Sequence, residues 1–387
     1  MARIKYFSYY GCQDPSRRRE NSLAADTKID YIIEVLNRIG YDVDLISPAP
    51  ASTSNFQTGF VEHRKRNSFR YFSSLRKGGR LLRAVNYRFI NLQFFLWCLF
   101  NIKHGEQILV YHSLGYDSLF IKLKKLKSIR IIGEIEEIYQ DVAKQKPSQE
   151  RNEFRFFDIC DKYIFPTHLL NKKLNPCGKP YVLIYGIYTV EPLRNVKWSD
   201  DDIHVIYAGT FDPNKGGAIA AVTSAAFLPK EYHVHICGSG RENEKETIIK
   251  TIEEINASSE ATVTYDGLLK GEDFILFLQK CHIGLSTQNP NAAFNATSFP
   301  SKILTYLANG LRVVSIRIPV IEQSGVSQCI SYYNDQSPKV IADAIRYACE
   351  KNIADPVTTL HQLDEQFEKE MLNLLSIKYN EKNTTAF

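Results

Sequence analysis

The 387-residue sequence lacks most marks of the specialised protein classes. Its eight cysteines (Cys12, Cys98, Cys160, Cys177, Cys237, Cys281, Cys329 and Cys349) form no CxxC pair, and there is no HxxxH spacing. A zinc cage is therefore not expected, and the thiols read as buried and reduced. With 20 glycines, 15 prolines and no low-complexity tract, the composition is that of a globular chain rather than a disordered or fibrous one. GxxxxGK[ST] is absent, which removes the P-loop. The opening stretch MARIKYFSYYGCQD has no long apolar core of the secretory kind, so a cytoplasmic protein is expected. On that expectation the Asn-x-Ser/Thr triplets at Asn256, Asn295 and Asn383 are chance. A net charge of +5 does not by itself call for nucleic acid.

What is present is an alternation of short apolar runs and amphipathic stretches, the signature of βαβ units and a parallel sheet. In the second half the expected strands are His204–Ala208, Tyr232–Cys237, Ala261–Tyr265, His282–Ser286, Arg312–Ile316 and Cys329–Tyr333. The expected helices are Gly217–Phe227, Glu242–Asn256, Gly271–Lys280, Pro300–Asn309 and Pro338–Lys351. The first half repeats this grammar less regularly: strands at Arg3–Tyr9, Asp42–Ser47, Gln107–His112 and Ser128–Glu134, and a helix at Ile29–Ile39. The expected fold is α/β, with two Rossmann-like domains facing each other across a cleft. They span residues 1–186 and 187–355, and a helix in 356–387 packs back toward the first domain. Asp200-Asp201-Asp202 lies in the linker and reads as a solvated charge run.

Positive charge concentrates between residues 60 and 100. Nine arginines and lysines, Arg64, Lys65 and Arg66 among them, face the single acid Glu62 and run into FINLQFFLWCLF at 89–100. Twelve residues are too few to span a bilayer, which needs roughly 20. Two readings stand side by side: a peripheral contact with anionic lipid, or a buried helix behind a solvated basic loop. Arg17 and Arg18, in the loop after the first strand, attract a lipid diphosphate or are merely solvated.

Ligands of open α/β sheets bind where strands end, so loops after strands are the candidate sites. Gly209, Thr210 and Lys215 lie in one such loop, where small residues admit a phosphate and the lysine adds a charge. Gly238 and Ser239 form a second turn. Ser301 and Lys302 open the helix expected at Pro300, where a cation conflicts with the dipole unless an anion is also bound. His112 follows the apolar strand ILVY as a catalytic group or a structural hydrogen-bonding one. Among Glu134, Glu136 and Glu137, Glu136 is the candidate base or acceptor ligand.

IYAGTFDPNKGG, HVHICGSG, VTYDGLL and FPSKILTYLANGLRVVS, in that order, resemble the donor domain of GT-B glycosyltransferases, especially the family-4 type of bacterial capsule and exopolysaccharide synthesis. EIEEIYQDV and FPTHLLN in the first half resemble one subgroup less specifically. The resemblance implies transfer of a sugar, with retention, from a nucleotide-diphosphate sugar, UDP-linked by expectation, to a lipid-linked glycan or polysaccharide at the inner face of the membrane. No metal or other cofactor is implied; the nucleotide-sugar is a co-substrate. The resemblance also implies roles for Gly238, Ser239, Asp266 and Thr305 near the nucleotide and ribose, and for Asn295, Thr297 and Ser298 near the donor sugar. Thr297 and Thr305 replace two glutamates of many family members, and the arginine usually found ahead of the Lys-Gly is missing. Those departures leave a second expectation open: a non-catalytic GT-B subunit that binds a glycan or an active partner.

Overall fold

In the computed structural model, residues 2–142, 146–350 and 354–377 are described; Lys351 and Asn383, singled out from sequence, lie outside them. The chain divides into two compact units, Met1–Pro166 with Asn171–Ile184 and Phe367–Phe387, and Thr167–Leu170 with Tyr185–Gln366. The helix Pro356–Ser376 belongs to the second unit up to Gln366 and to the first from Phe367.

The first unit is built on an eight-stranded sheet of β1 (Ala2–Phe7), β2 (Tyr41–Ser47), β3 (Phe60–Arg64), β4 (Asn67–Tyr71), β5 (Gln107–Tyr111), β6 (Arg130–Glu134), β7 (Lys162–Phe165) and β8 (Tyr181–Leu183). Their order is β3-β4-β2-β1-β5-β6-β7-β8, and every pair is parallel except β3 with β4. Strands such as QILVY are nearly all apolar because both faces of a parallel sheet are covered. One cover is helix α1 (Leu23–Arg38), capped by the Ser22 hydroxyl, which accepts from the Ala25 N–H at 3.5 Å. Another is α2 (Arg80–Asn101). The apolar run at 89–100 is thus the later part of a 22-residue helix, and only Asn86, Ile90, Phe94 and Cys98 of that helix are buried. The order reverses between β1 and β5, which opens a crevice at their carboxyl ends.

The second unit holds a six-stranded, all-parallel sheet of β9 (Ile203–Thr210), β10 (Tyr232–Ser239), β11 (Thr262–Gly267), β12 (Ile283–Ser286), β13 (Arg312–Ile316) and β14 (Ile330–Tyr333). The order β11-β10-β9-β12-β13-β14 is the doubly wound arrangement, with its switch point between β9 and β12. The expected helix Gly217–Phe227 is helical to Ser224 and closes in a 3₁₀ turn, Ala225–Phe227. The one expected at Pro300–Asn309 is shorter, Lys302–Ala308, and stops at Gly310, whose φ of +81° suits a residue without a side chain.

Candidate functional site

In the second unit, Gly209 on β9 and Gly238 on β10 are register partners at the carboxyl ends of their strands. They touch so closely that a Cβ on Gly238 would lie 1.8 Å from the Gly209 carbonyl oxygen. A Cβ on Gly209 would lie 2.9 Å from Lys302 Nζ, so the ammonium sits directly against this glycine. Lys302 Nζ also lies 3.9 Å from the centre of the Tyr207 ring, a cation–π contact. Its helix is held to β9 by Tyr306, whose hydroxyl accepts from the Ala208 N–H at 2.8 Å. Among the described residues no carboxylate pairs with Lys302 or Lys215. Burial, and secondarily the Lys215 charge, push the Lys302 ammonium down to about 7.

Two loops close around this cation. Asn289 N–H donates to the Lys215 carbonyl at 2.7 Å and the Thr287 hydroxyl to Gly217 O at 2.7 Å, tying the turn after β9 to the segment after β12. Farther along that segment, the hydroxyls of Thr297 and Ser298 are buried with no hydrogen-bond partner among the described residues. A half-buried cation with no carboxylate partner among the described residues, orphaned hydroxyls four and five residues before it in the chain, and a backbone that admits no side chain suit an anionic, hydroxylated ligand.

In the first unit, a cavity of about 440 Å³ lies at the switch point. Ser8 and Tyr9 after β1, Tyr111, His112 and Ser113 at the end of β5, and Glu137 line it. Glu20, Asn21 and Ser22, from the loop that carries Arg17 and Arg18, complete the wall together with Tyr87 of α2. Hydroxyls and carboxylates over aromatic faces form a lining suited to a polyhydroxylated molecule.

No protein-family model and no curated protein matches the chain. Solved structures do. The Escherichia coli trehalose-6-phosphate protein bound with UDP-2-fluoro glucose superposes at a TM-score of 0.68, with 10% identity over 97% of this chain and 100% of that one. A UDP-forming α,α-trehalose-phosphate synthase of Burkholderia xenovorans in complex with glucose-6-phosphate gives 0.65, with 11% identity over 97% and 100%. The sucrose-phosphate synthase of Thermosynechococcus elongatus gives 0.64, with 15% identity over 97% and 95%. The fold is GT-B. None of the three is a capsule enzyme, and at these identities the likeness carries the fold alone.

Several expected site residues are committed elsewhere. At the start of this helix Ile303 N–H donates to Pro300 O at 3.1 Å, and Thr305 N–H makes the first α-helical bond, to Ser301 O at 3.3 Å. The Thr305 hydroxyl turns back toward Ser301 O, and the exposed Ser301 side chain makes no cap bond. Asn295 is buried between Gln288 and the Asn289 carbonyl, where it holds the loop. Asp266 Oδ2 lies 3.1 Å from His235 Nδ1 and accepts from the Thr264 hydroxyl at 3.1 Å. The Thr210 carbonyl accepts from the Tyr207 hydroxyl, and the exposed Ser239 accepts from Phe211 N–H through its carbonyl.

In the first unit, His112 is 2% exposed, caged by Tyr139, Phe156 and Phe157, with Nε2 3.4 Å from Asp117 Oδ2 and 3.7 Å from Glu153 Oε1. Glu136 is no free base, because Lys28 Nζ donates to both its oxygens at 2.5 and 2.6 Å. Arg64 is held by Glu62 and stacks on Phe69, and Arg66 is held by Asp42. Lys65 and Arg66 make the β3–β4 turn at the amino end of β4, whereas Arg64 ends β3 and donates to the Tyr10 hydroxyl at 2.9 Å. Arg17 lies over the Phe60 ring beside Asp14 and Arg18 is exposed.

Sequence reasoning missed two buried clusters, because each assembles residues far apart in the chain. His204, His233 and His235 bring ring nitrogens close enough for one ion. However, His204 Nδ1 and His235 Nε2 are 2.9 Å apart, a hydrogen-bond distance, with Asp200 and Asp266 on their outer nitrogens. Trp198 stacks on both rings and His233 stacks on His235. A metal must lie in the plane of every imidazole that binds it, so this stack suits proton sharing and packing instead.

The other cluster is Glu134, fully buried at the end of β6, which accepts from the Tyr6 hydroxyl. Burial, then the Glu136 charge, push its carboxyl up to about 8. Its folded value exceeds the usual 4.5, so its stabilising contribution is complete below that pH and is lost as pH rises to about 8. Chemical denaturation is expected to show the protein less stable at pH 8 than at pH 5. In Glu134→Gln that part of the slope disappears.

Proposed function

We propose that the protein is a glycosyltransferase that uses a nucleotide-diphosphate sugar, UDP-linked, as donor. The observation that carries this reading is Lys302, a cation held against Gly209 without a counter-charge among the described residues, with Lys215 nearby. Transfer breaks the bond between the anomeric carbon and a phosphate oxygen, and negative charge grows on the departing diphosphate. Lys302 and Lys215 answer that charge, and the free hydroxyls of Thr297 and Ser298 suit the donor sugar. The fold neighbour bound with UDP-2-fluoro glucose supports the choice of ligand class.

The acceptor is proposed to occupy the cavity of the first unit. A lipid-linked glycan of the capsule type is the favoured acceptor, with retention of configuration. The neighbour complexed with glucose-6-phosphate makes a sugar phosphate the competing arm. Thr297 and Thr305, neutral where the resembled family carries glutamates, favour a second reading, a GT-B subunit without turnover of its own.

A thermal-shift screen with UDP, GDP and their sugars tests the donor. A ligand at about 100 times its Kd is expected to add about 2.7 kcal/mol of stability. No shift with any nucleotide diphosphate overturns the donor reading. Labelled sugar passing into an organic-extractable lipid in the presence of the purified chain alone supports the favoured acceptor. Label found only on a sugar phosphate replaces that acceptor, and a shift without transfer to either selects the subunit.

A further inference from the structure

The side of α2 turned away from the sheet is mostly apolar, with Arg88 exposed among its leucines and phenylalanines. Leu81, Val85, Phe89, Leu92, Leu96 and Phe100 recur every three or four residues and so share one stripe. Leu81 is 85%, Leu92 59% and Phe100 84% exposed. The opposite side is already occupied, with Phe94 packed against Phe7, Phe72 and Phe120. An amphipathic surface helix normally turns its polar side to water, so a helix apolar on both sides expects a second cover.

Charge indicates what that cover is. From His63 to Asn101 the chain has no acidic residue, and Arg76, Lys77, Arg80 and Arg88 are exposed at or near the amino end of α2. Arg83 alone among the arginines of α2 has an ion-pair partner, Glu20, among the described residues. A second copy of this face offers no carboxylate to these cations in either orientation. An anionic bilayer offers both a headgroup layer for the arginines and an acyl boundary for the leucines and phenylalanines. No helix among the described residues is long and apolar enough to cross a membrane, so the contact is a lying one. Tyr87, on the same helix, lines the first unit's cavity.

We propose that the outward face of α2 lies in the interface of an anionic membrane, with the stripe from Leu81 to Phe100 dipped into the acyl boundary and the basic amino end over the headgroups. This places the cavity beside the lipid surface. The proposal deepens the lipid-linked acceptor reading and rests on it for its purpose, but vesicle binding needs neither donor nor turnover, so the two fail separately.

The test is flotation of the full chain with vesicles of phosphatidylcholine alone and of phosphatidylcholine mixed with phosphatidylglycerol. The unmodified chain is expected to float with the anionic vesicles, less as salt rises, and not with the neutral ones. The double variant Leu92→Glu with Leu96→Glu should lose flotation while keeping its UDP-induced thermal shift. Replacing Arg76, Lys77 and Arg80 by Gln should weaken binding at least about tenfold, which supplies a readout should the glutamate variant misfold. The proposal is overturned if the unmodified chain floats with neither vesicle. It is equally overturned if both variants still float as before, or if the glutamates abolish a concentration-dependent dimer in a chain that binds no vesicles.

Discussion

Lys302→Met is expected to change stability and donor binding in opposite directions. The thioether keeps the length of the side chain over Tyr207 and removes the charge. Below pH 7 the unmodified lysine is protonated both folded and unfolded, and the folded state bears the full cost of desolvating it. Because its folded value of about 7 lies below the ordinary 10.5, stability should climb as pH rises from about 7 to 10.5. The Met variant should start higher at pH 6.5 and lose that climb. UDP binding should fall about 10- to 100-fold, the range for one charge-assisted contact. Turnover should fall by about 100- to 1,000-fold, because the lost charge opposes growing negative charge on the leaving group. For the unmodified protein, UDP affinity should weaken by up to about tenfold per pH unit above 7, as binding must then take up a proton. Calorimetry across pH 6 to 9 measures this; a flat affinity profile, or a variant that binds UDP as well as the parent, removes Lys302 from the site.

Gly238→Ala should be the most disruptive single methyl addition near the donor cradle. The new Cβ would meet the Gly209 carbonyl oxygen at 1.8 Å, and the backbone φ of +143° is itself unsuited to alanine. Neither partner can yield without parting β9 from β10, so a loss of roughly 3 kcal/mol is expected, with donor binding lost at the same time. Gly267→Ala provides the comparison: its φ is +79° but nothing lies within 4 Å of the added methyl, so only the backbone cost of about 1 kcal/mol should appear. Urea denaturation with an unchanged slope reads both. Equal midpoints for the two variants would mean that the Gly209–Gly238 approach does not constrain the fold.

The strands of the second unit are legible because a buried parallel strand must be apolar on both faces, as in HVIYA and RVVSI, and because glycines punctuate their ends. Gly209, Lys215 and Lys302 are legible for the same reason: they follow strands or open a helix. The length of the helix after Pro300 is not. Its first turn settles by local hydrogen bonding among Pro300, Ser301 and Ile303, which no periodicity reports. Nor does the apolar run at 89–100 reveal its environment. Phe94 and Phe100 belong to one hydrophobic string, yet Phe94 is fully buried and Phe100 is 84% exposed. Which side of a helix meets the sheet follows from packing, since both sides here carry leucine, isoleucine or phenylalanine along the helix.

Glu136, Asp266 and Asn295 show the same boundary from the side of function. Each was a candidate from sequence, and two have been claimed by neighbours distant in sequence: Glu136 by Lys28 and Asp266 by His235. Asn295 is claimed by its own loop. Residue order alone decided that this chain alternates strand and helix and carries glycines and lysines after its strands, because hydrophobic period and turn chemistry are local. Only the folded arrangement decided which of those charges remain unpaired, because a counter-charge comes from wherever in the chain packing delivers one, and at Lys302 it delivers none among the described residues.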